Sequence, residues 1–423
     1  MHQSHKKQNI KSKYRYNSFA MVDELYPVGS EAWERANIVL TKFQQRTFYN
    51  DFVLENDGEV RYVYTTLLEL RILLGEKKYN EILNTLIDNN VILRVDTLNP
   101  NNPTQTLYTF EAFRETPKGY NIRVTNKRVH NSLNRFYDSK QKQFSPVVRD
   151  VILPNLRKSK IEITDTDYWT AVQENYSEYC THRRNINKSI QSYERYVDAY
   201  KYLLYRIRTF NSATGKEIYD FITEDNFSKR VHTIITQLPK FLRERNIIRL
   251  NGESVCEIDL AQSQPTILAK VLEGTDYYYW FNSEADCYLA LKKRFNLPTR
   301  DSAKVYMFSL MFGTKWGKNH KLFEEMFPQA GSVLSTMKST YNPNNPNCTK
   351  GNFHSNVAYE MQMRETTIFR GVWKKINNKS IRFLTIHDAV LVPTKDIDMV
   401  KAIMQSYLSE RFPTAQVNIK QYA

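Results

Sequence analysis

At 423 residues the chain has room for two or three domains with cores of their own. Lysine and arginine number 60 and the acids 45, a formal charge of +15 that favours a polyanionic partner. Cys180, Cys256, Cys287 and Cys348 form no CxxC pair, no apolar run is long enough to span a membrane, and there is no signal-peptide pattern. A structural zinc site, a disulfide framework and a membrane partner are therefore not expected, and the expected setting is cytoplasmic.

Residues 1–20 are polar and basic (Lys6, Lys7, Lys11, Lys13, Arg15) and read as a flexible arm. A domain over 21–150 is expected to hold a compact module at about 60–113. Tyr64–Leu74 and Tyr79–Asn89 have helical apolar spacing, and strand-like Val91–Val95, a polar Asn/Pro-rich loop at 99–105 and a second strand at Leu107–Phe110 follow. Helix, helix, strand, loop and strand make a winged-helix-like pattern, which serves DNA binding in some proteins and protein contacts in others. The region 151–225 reads as mainly helical. Tyr176, Tyr179, Tyr193, Tyr196, Tyr200 and Leu203 fall at helical steps, with Arg183, Arg184, Lys188 and Arg195 between them. That composition suits a duplex-clamping thumb or a helical linker.

The last region, 226–423, carries three segments with chemistry in them. Val255-Cys-Glu-Ile-Asp259-Leu-Ala-Gln262-Ser-Gln264-Pro265 and the apolar residues after it, to about 268, read as strand, turn and helix, with Pro265 in the first helical turn. Asp259 then sits at the exposed end of a buried strand. Arg300-x3-Lys304-x3-Phe308-x3-Phe312-Gly313 sets two cations and two aromatic rings at steps of four, an arc of roughly 120° on a helix. Such a face suits a nucleoside triphosphate, whose tail needs cations and whose base needs a stacking surface. Ile381–Pro393 reads as two apolar strands meeting in a tight turn at His387-Asp388. A lone acid at a strand end is commonly a turn former. Two unpaired carboxylates held about 4 Å apart, however, repel by roughly 4 kcal/mol at an effective dielectric near 20. Two divalent cations are a known remedy in phosphoryl chemistry.

In this order the three segments resemble motifs A (about 255–268), B (300–313) and C (381–393) of the family A DNA polymerases, whose relatives include the single-subunit RNA polymerases. The resemblance covers roughly residues 225–423. It implies an α+β, multi-domain, right-hand polymerase with an antiparallel-sheet palm and helical fingers in 226–423, to which the helical region 151–225 would add the thumb. Asp259 and Asp388 match the metal ligands, which implies two Mg²⁺ ions, with Mn²⁺ as a substitute. Arg300 and Lys304 match the triphosphate cations, with Lys304 placed to protonate the leaving group. Phe308, Phe312, Gly313, Gln262, Gln264 and His387 are implied at the nucleotide, and Asp286-Cys-Tyr288 sits where the family often carries Asp-x-His. Arg230, His232, Lys240, Arg243 and Gln362 fall where related enzymes grip the primer–template duplex, through contacts that carry no sequence preference.

Three departures from the family pattern stand out, the first two at the sugar and the third beside the metal ligand. Gln264 stands where the DNA polymerases have a Glu that blocks the ribose 2′-OH and the RNA polymerases have Gly. Phe312 replaces a Tyr, and Ala389 replaces an acid found after His-Asp in many DNA polymerases. Together they favour dNTPs. The expectation is a primer-extending, DNA-dependent DNA polymerase of phage or mobile-element type, acting on nucleoside triphosphates and a primer–template. No acidic cluster of a proofreading exonuclease and no Walker-type glycine loop is present. Three alternatives stay open: an RNA polymerase or primase of the same superfamily, a non-catalytic nucleic-acid-binding protein on a decayed polymerase fold, and an enzyme that needs an accessory subunit.

Overall fold

The computed structural model describes residues 15–47, 62–99, 102–109, 119–185, 190, 192–213, 215–244 and 247–420. They form a mixture of helices and antiparallel sheets in two compact units. One unit takes the chain to Phe144 and again Ser212–Phe221; the other takes Ser145–Asn211 and the chain from Ile222 onward. The expected boundaries at 150 and 225 are a linear succession. The chain instead returns briefly to the first unit, where Tyr219 packs edge-on against Tyr137 and Phe144 with ring centroids 6.1 and 5.9 Å away.

The first unit runs β1 (Arg15–Ser18), α1 (Ala20–Leu25), α2 (Glu31–Thr47), β2 (Tyr62–Thr66), α3 (Leu67–Leu74), α4 (Tyr79–Asp88), β3 (Leu93–Asn99), β4 (Asn102–Thr109), β5 (Gly119–Arg123) and α5 (Lys127–Gln143). The last residues of the expected flexible arm pair as β1 with β5, while residues 1–14 lie outside the described residues. Residues 64–66, expected to open a helix, belong instead to strand β2. Val63, Thr65 and Thr66 are β-branched, stiff at χ1 and better suited to a pleated strand. With β4 in the middle, β2, β4 and β3 form a three-stranded sheet that extends into the stretch expected as a loop.

The second unit opens with a π-helical turn, Val148–Ile152, that runs into α6 (Leu153–Arg157). There follow β6 (Ile161–Ile163), α7 (Asp165–Asn185), α8 (Tyr193–Ser212), β7 (Ile222–Glu224), β8 (Val231–Thr233), α9 (Lys240–Glu244), β9 (Ile248–Leu250) and β10 (Glu253–Leu260). Next come α10 (Ser263–Val271), α11 (Asp276–Ser283), α12 (Cys287–Arg294), α13 (Arg300–Phe312), α14 (Lys318–Met326), α15 (Pro328–Met337) and α16 (Ser355–Asn378). The chain closes with β11 (Leu384–Ile386), β12 (Ala389–Pro393), α17 (Ile397–Ser409) and β13 (Val417–Lys420). Tyrosines from α7 and α8 interlock, as in the Tyr176–Tyr196 pair at 5.0 Å and the Tyr179–Tyr196 pair at 5.1 Å. They fill the space between the two helices, which is what their helical spacing anticipates. The side chains of Lys188 and Arg195 lie outside the described residues.

A sheet ordered β11-β12-β10-β9-β6, with β13 also paired to β10, forms the floor of this unit. Strand β10 is its centre. Alternate residues Cys256, Ile258 and Leu260 are buried in the core, which leaves Glu257 and Asp259 on the opposite face. Helix α17 packs on β10, β12 and β13, and α16 lies against α17 and α10. Gly371 permits that last packing: a Cβ there would come within 1.8 Å of the Tyr407 hydroxyl. Among the described residues no helix is long and apolar enough to cross a membrane.

Candidate active site

Local pairing brings the two acids together. Asp259 lies opposite Ala389 on one side and Asn418 on the other, and the Leu260 N–H donates to the Asp388 carbonyl at 3.2 Å. Asp388 is thus one step from Asp259, in the two-residue turn between β11 and β12. His387 holds that turn with φ near +36°, the sign that tight hairpin turns require at their first residue. Asp259 Oδ2 accepts from Lys420 Nζ at 2.7 Å, while its Oδ1 is buried with no hydrogen-bond partner. Burial, then the carboxylates of Glu365 and Asp259, pushes the Asp388 carboxyl up to about 7. These are the marks of negative charge gathered without enough positive charge to meet it.

Glu257 shows what a satisfied acid on the same strand looks like. It takes Arg243 Nη1 at 2.6 Å and Lys420 Nζ at 2.8 Å. Lys420 therefore bridges Glu257 and Asp259. Burial lowers its ammonium, but hydrogen bonds to both acids outweigh that and raise it above the ordinary lysine value.

Helix α13 carries the cation–aromatic face. Thr299 caps it, with Ser302 completing a capping box. Ala303, Met307, Leu310 and Met311 are buried, so Arg300, Lys304, Phe308 and Phe312 are left on the outer face, the two cations exposed and the rings half-buried. The Phe308 and Phe312 rings lie 6.0 Å apart, and Lys304 Nζ stands 5.9 Å from the Phe308 ring. Gly313 ends the helix where a Cβ would press to 2.7 Å from the Ser309 carbonyl, so the backbone itself requires glycine. Arg300 is aimed by Asp286, whose Oδ2 accepts from Nε at 2.8 Å, and its guanidinium lies 4.9 Å over the Tyr288 ring. Asp286 also caps α12 through the Tyr288 and Leu289 N–H groups.

These two parts are tied together. Gln262, in the left-handed region at φ 52°, accepts from the Cys287 N–H at 2.8 Å and donates to the Ala285 carbonyl at 3.3 Å. Its amide braces the loop that holds Asp286. Burial raises the Tyr288 phenol, and the charge of Asp388 is among the groups that add to the rise, so the acid turn and the Arg300 end of α13 share one electrostatic neighbourhood.

The residues expected on nucleic acid separate. Arg230 donates Nε at 3.0 Å to Glu365, and Arg243 is committed to Glu257; both guanidiniums neutralise acids of their own chain. His232 reaches Asp225 at 3.4 Å and packs edge-on against His387, ring centroids 5.1 Å apart. Burial, then Arg230 and His232, lowers His387 to about 4, so its imidazole is neutral near pH 7. Lys240 is exposed at the start of α9, and Gln362 is half-buried on α16.

Glu365 is the residue the sequence reading passed over. It is only 2% exposed and accepts from Arg230, from Gln264 Nε2 and from Ser263 Oγ at 3.4 Å. A signal was present: Met361, Glu365 and Phe369 stand at steps of four on α16, all buried, so an acid occupies a core position.

No protein-family model and no curated protein matches the chain. Among solved structures it is similar to the POL domain of Pol1 from M. smegmatis, in complex with DNA primer-template and dNTP. That match has 12% identity and a TM-score of 0.44, covering 69% of this chain and 72% of the other. At that level the functional case rests on the residues themselves.

Proposed function

We propose that the chain is a template-directed nucleotidyltransferase that extends a primer on a DNA template with dNTPs. One observation carries this reading. Asp388 meets two other carboxylates beside Asp259, which keeps one oxygen unpartnered, and its charge acts on Tyr288, whose ring lies under Arg300 of the helix that also presents Lys304 and two aromatic rings. Among the described residues, no group of three or more His, Cys, Asp or Glu side chains is arranged to hold a metal ion. Two carboxylates, one with an unpartnered buried oxygen, still fit Mg²⁺, which takes one or two protein carboxylates and completes its shell with water and phosphate. Asp259 and Asp388 would hold two such ions, with Mn²⁺ as a substitute. When bound, the ions supply a lowered pKa at the primer 3′-OH and neutralise the departing pyrophosphate.

The chain's own residues do the rest. Asp286 fixes Arg300 through Nε and leaves its terminal nitrogens for the triphosphate, where a planar guanidinium binds two oxygens at once. Lys304 adds a second charge and donates a proton to the leaving group. Phe308 and Phe312 stack on the nascent pair, and Gln264 meets the sugar. Lys240 and Gln362 contact the duplex, α7 and α8 serve as its thumb, and the α3–α4 module with its sheet acts as a winged-helix-like grip.

Primer extension on a DNA template with Mg²⁺ tests this, with dNTPs and rNTPs offered separately beside Asp388→Asn. Extension with dNTPs that disappears in the variant is the expected result. Extension with rNTPs alone makes the chain an RNA polymerase. Failure with both, despite tight duplex binding, points to a binding protein or to an enzyme that needs an accessory subunit.

A further inference from the structure

The side chain of Gln264 has one hydrogen-bond partner among the described residues. Its Nε2 donates to Glu365 Oε2, and its Oε1 is buried without a partner. Phe312 offers no polar atom that could hold it. Glu365 divides its two oxygens: Oε1 takes Arg230, while Oε2 takes the first turn of α10 through Ser263 and Gln264. An acid this buried is costly unless paired, and Arg230 supplies that pairing at Oε1. The Oε2 bonds are therefore free to serve another purpose. Because a carboxylate only accepts, it fixes which end of the Gln264 amide faces it and which faces away.

We propose that Glu365 is the positioning residue of the sugar gate. It clamps Gln264 in one orientation and so sets the preference for deoxyribonucleotides over ribonucleotides. The inference rests on the nucleotidyltransferase reading and adds to it a residue that touches neither metal nor nucleotide. Clamped, Gln264 cannot swing aside to admit a 2′-hydroxyl; released, it can.

Glu365→Gln is a sharp probe because it keeps the side-chain volume. Its carbonyl stays on Arg230, which puts an NH₂ group against the Gln264 NH₂. Two donors cannot pair, so the Gln264 amide must turn over or withdraw. Glu365→Leu removes the clamp outright, and Gln264→Ala removes the gate. The measurement is single-nucleotide incorporation by the full chain, read as the ratio of kcat/KM for a dNTP to that for the matching rNTP. General damage to the fold lowers both numbers and leaves their ratio alone.

The expected result is a ratio about tenfold lower in Glu365→Gln, the scale of one fixed hydrogen bond. Glu365→Leu in a Gln264→Ala background should lower the ratio no further, since both act through one side chain. A ratio within about twofold of wild type in both Glu365 variants, or full additivity with Gln264→Ala, overturns the proposal while the polymerase reading stands. Absence of incorporation by the wild-type chain removes the polymerase reading and the gate with it.

Discussion

Two acids, one in each unit, show how differently the same side chain can be treated. Asp220 in the first unit is 9% exposed and surrounded by donors: Lys42, Lys140 at 3.4 Å, and the Tyr137 hydroxyl at 2.7 Å. Burial acts to raise its carboxyl, but Lys42 and Lys140 outweigh it and hold the group down at about 2. Asp388 in the second unit meets burial plus two more carboxylates and is pushed up to about 7. The first site is complete without a ligand, and its bonds join α2 and α5 to the segment that returns at 212–221. The second is left with negative charge to be met from outside, the condition expected of a site built for cations and phosphates.

The largest expected difference is in catalysis. Asp388→Asn should reduce primer extension by about 10³-fold or more, the scale of removing a preorganised charge partner in the transition state. Asp220→Asn should leave extension per folded molecule within a few-fold.

In stability the order reverses. Asp220→Asn strands Lys42 beside a neutral amide and should cost about 3–5 kcal/mol in urea unfolding. Asp388→Asn should stabilise the metal-free protein, because it removes a carboxylate that its neighbours repel. The pH dependences carry opposite signs. A carboxyl held below its ordinary value lends stability above pH 4 that is lost as pH falls toward 2, which describes Asp220. A raised carboxyl keeps its proton in the native state after the unfolded chain has lost it. Asp388 therefore makes metal-free stability decline as pH rises from about 4 to about 7, and metal binding should strengthen as pH passes 7. Unfolding curves at pH 5 and pH 8, with and without Mg²⁺, read both effects; Asp388→Asn should flatten the decline.

Two exposed ion pairs extend the contrast at smaller scale. Arg300→Ala should lower kcat/KM for the incoming nucleotide by about 10–100-fold, as expected for a charged hydrogen-bond donor to phosphate. Lys216 pairs with Asp138 at the surface of the first unit, and Lys216→Ala should change stability by no more than about 0.5 kcal/mol and leave kcat/KM unaltered.

How legible these features were follows from how local they are. Strand β10, its turn and α10 were readable because Val255–Leu260 and Ile267–Leu268 carry their own periodicity, and the His387-Asp388 turn was marked by apolar runs on both sides. The outer face of α13 follows from a spacing of four. Pairing partners were not readable. Nothing nearby in sequence names Glu365 as the partner of Arg230, 135 residues away, and Glu257, 14 residues from Arg243, lies on a different element. Glu365 was hidden by Gln362, a more familiar type three residues earlier, although its place in the buried frame of α16 was visible. Residues 64–66 were missed as strand because a helical apolar spacing overlaps the β-branched Val63, Thr65 and Thr66. The return of 212–221 to the first unit is a tertiary event that no local pattern announces.

The most direct measurement of the central claim is a Mn²⁺ titration followed by electron paramagnetic resonance. It would use the full chain with a dideoxy-terminated primer–template and a matching dNTP at pH 8. Bound Mn²⁺ in the wild-type complex that is lost in both Asp259→Asn and Asp388→Asn is the result the charge arrangement predicts. Equal Mn²⁺ uptake by wild type and both variants, or none in any of them, would contradict it.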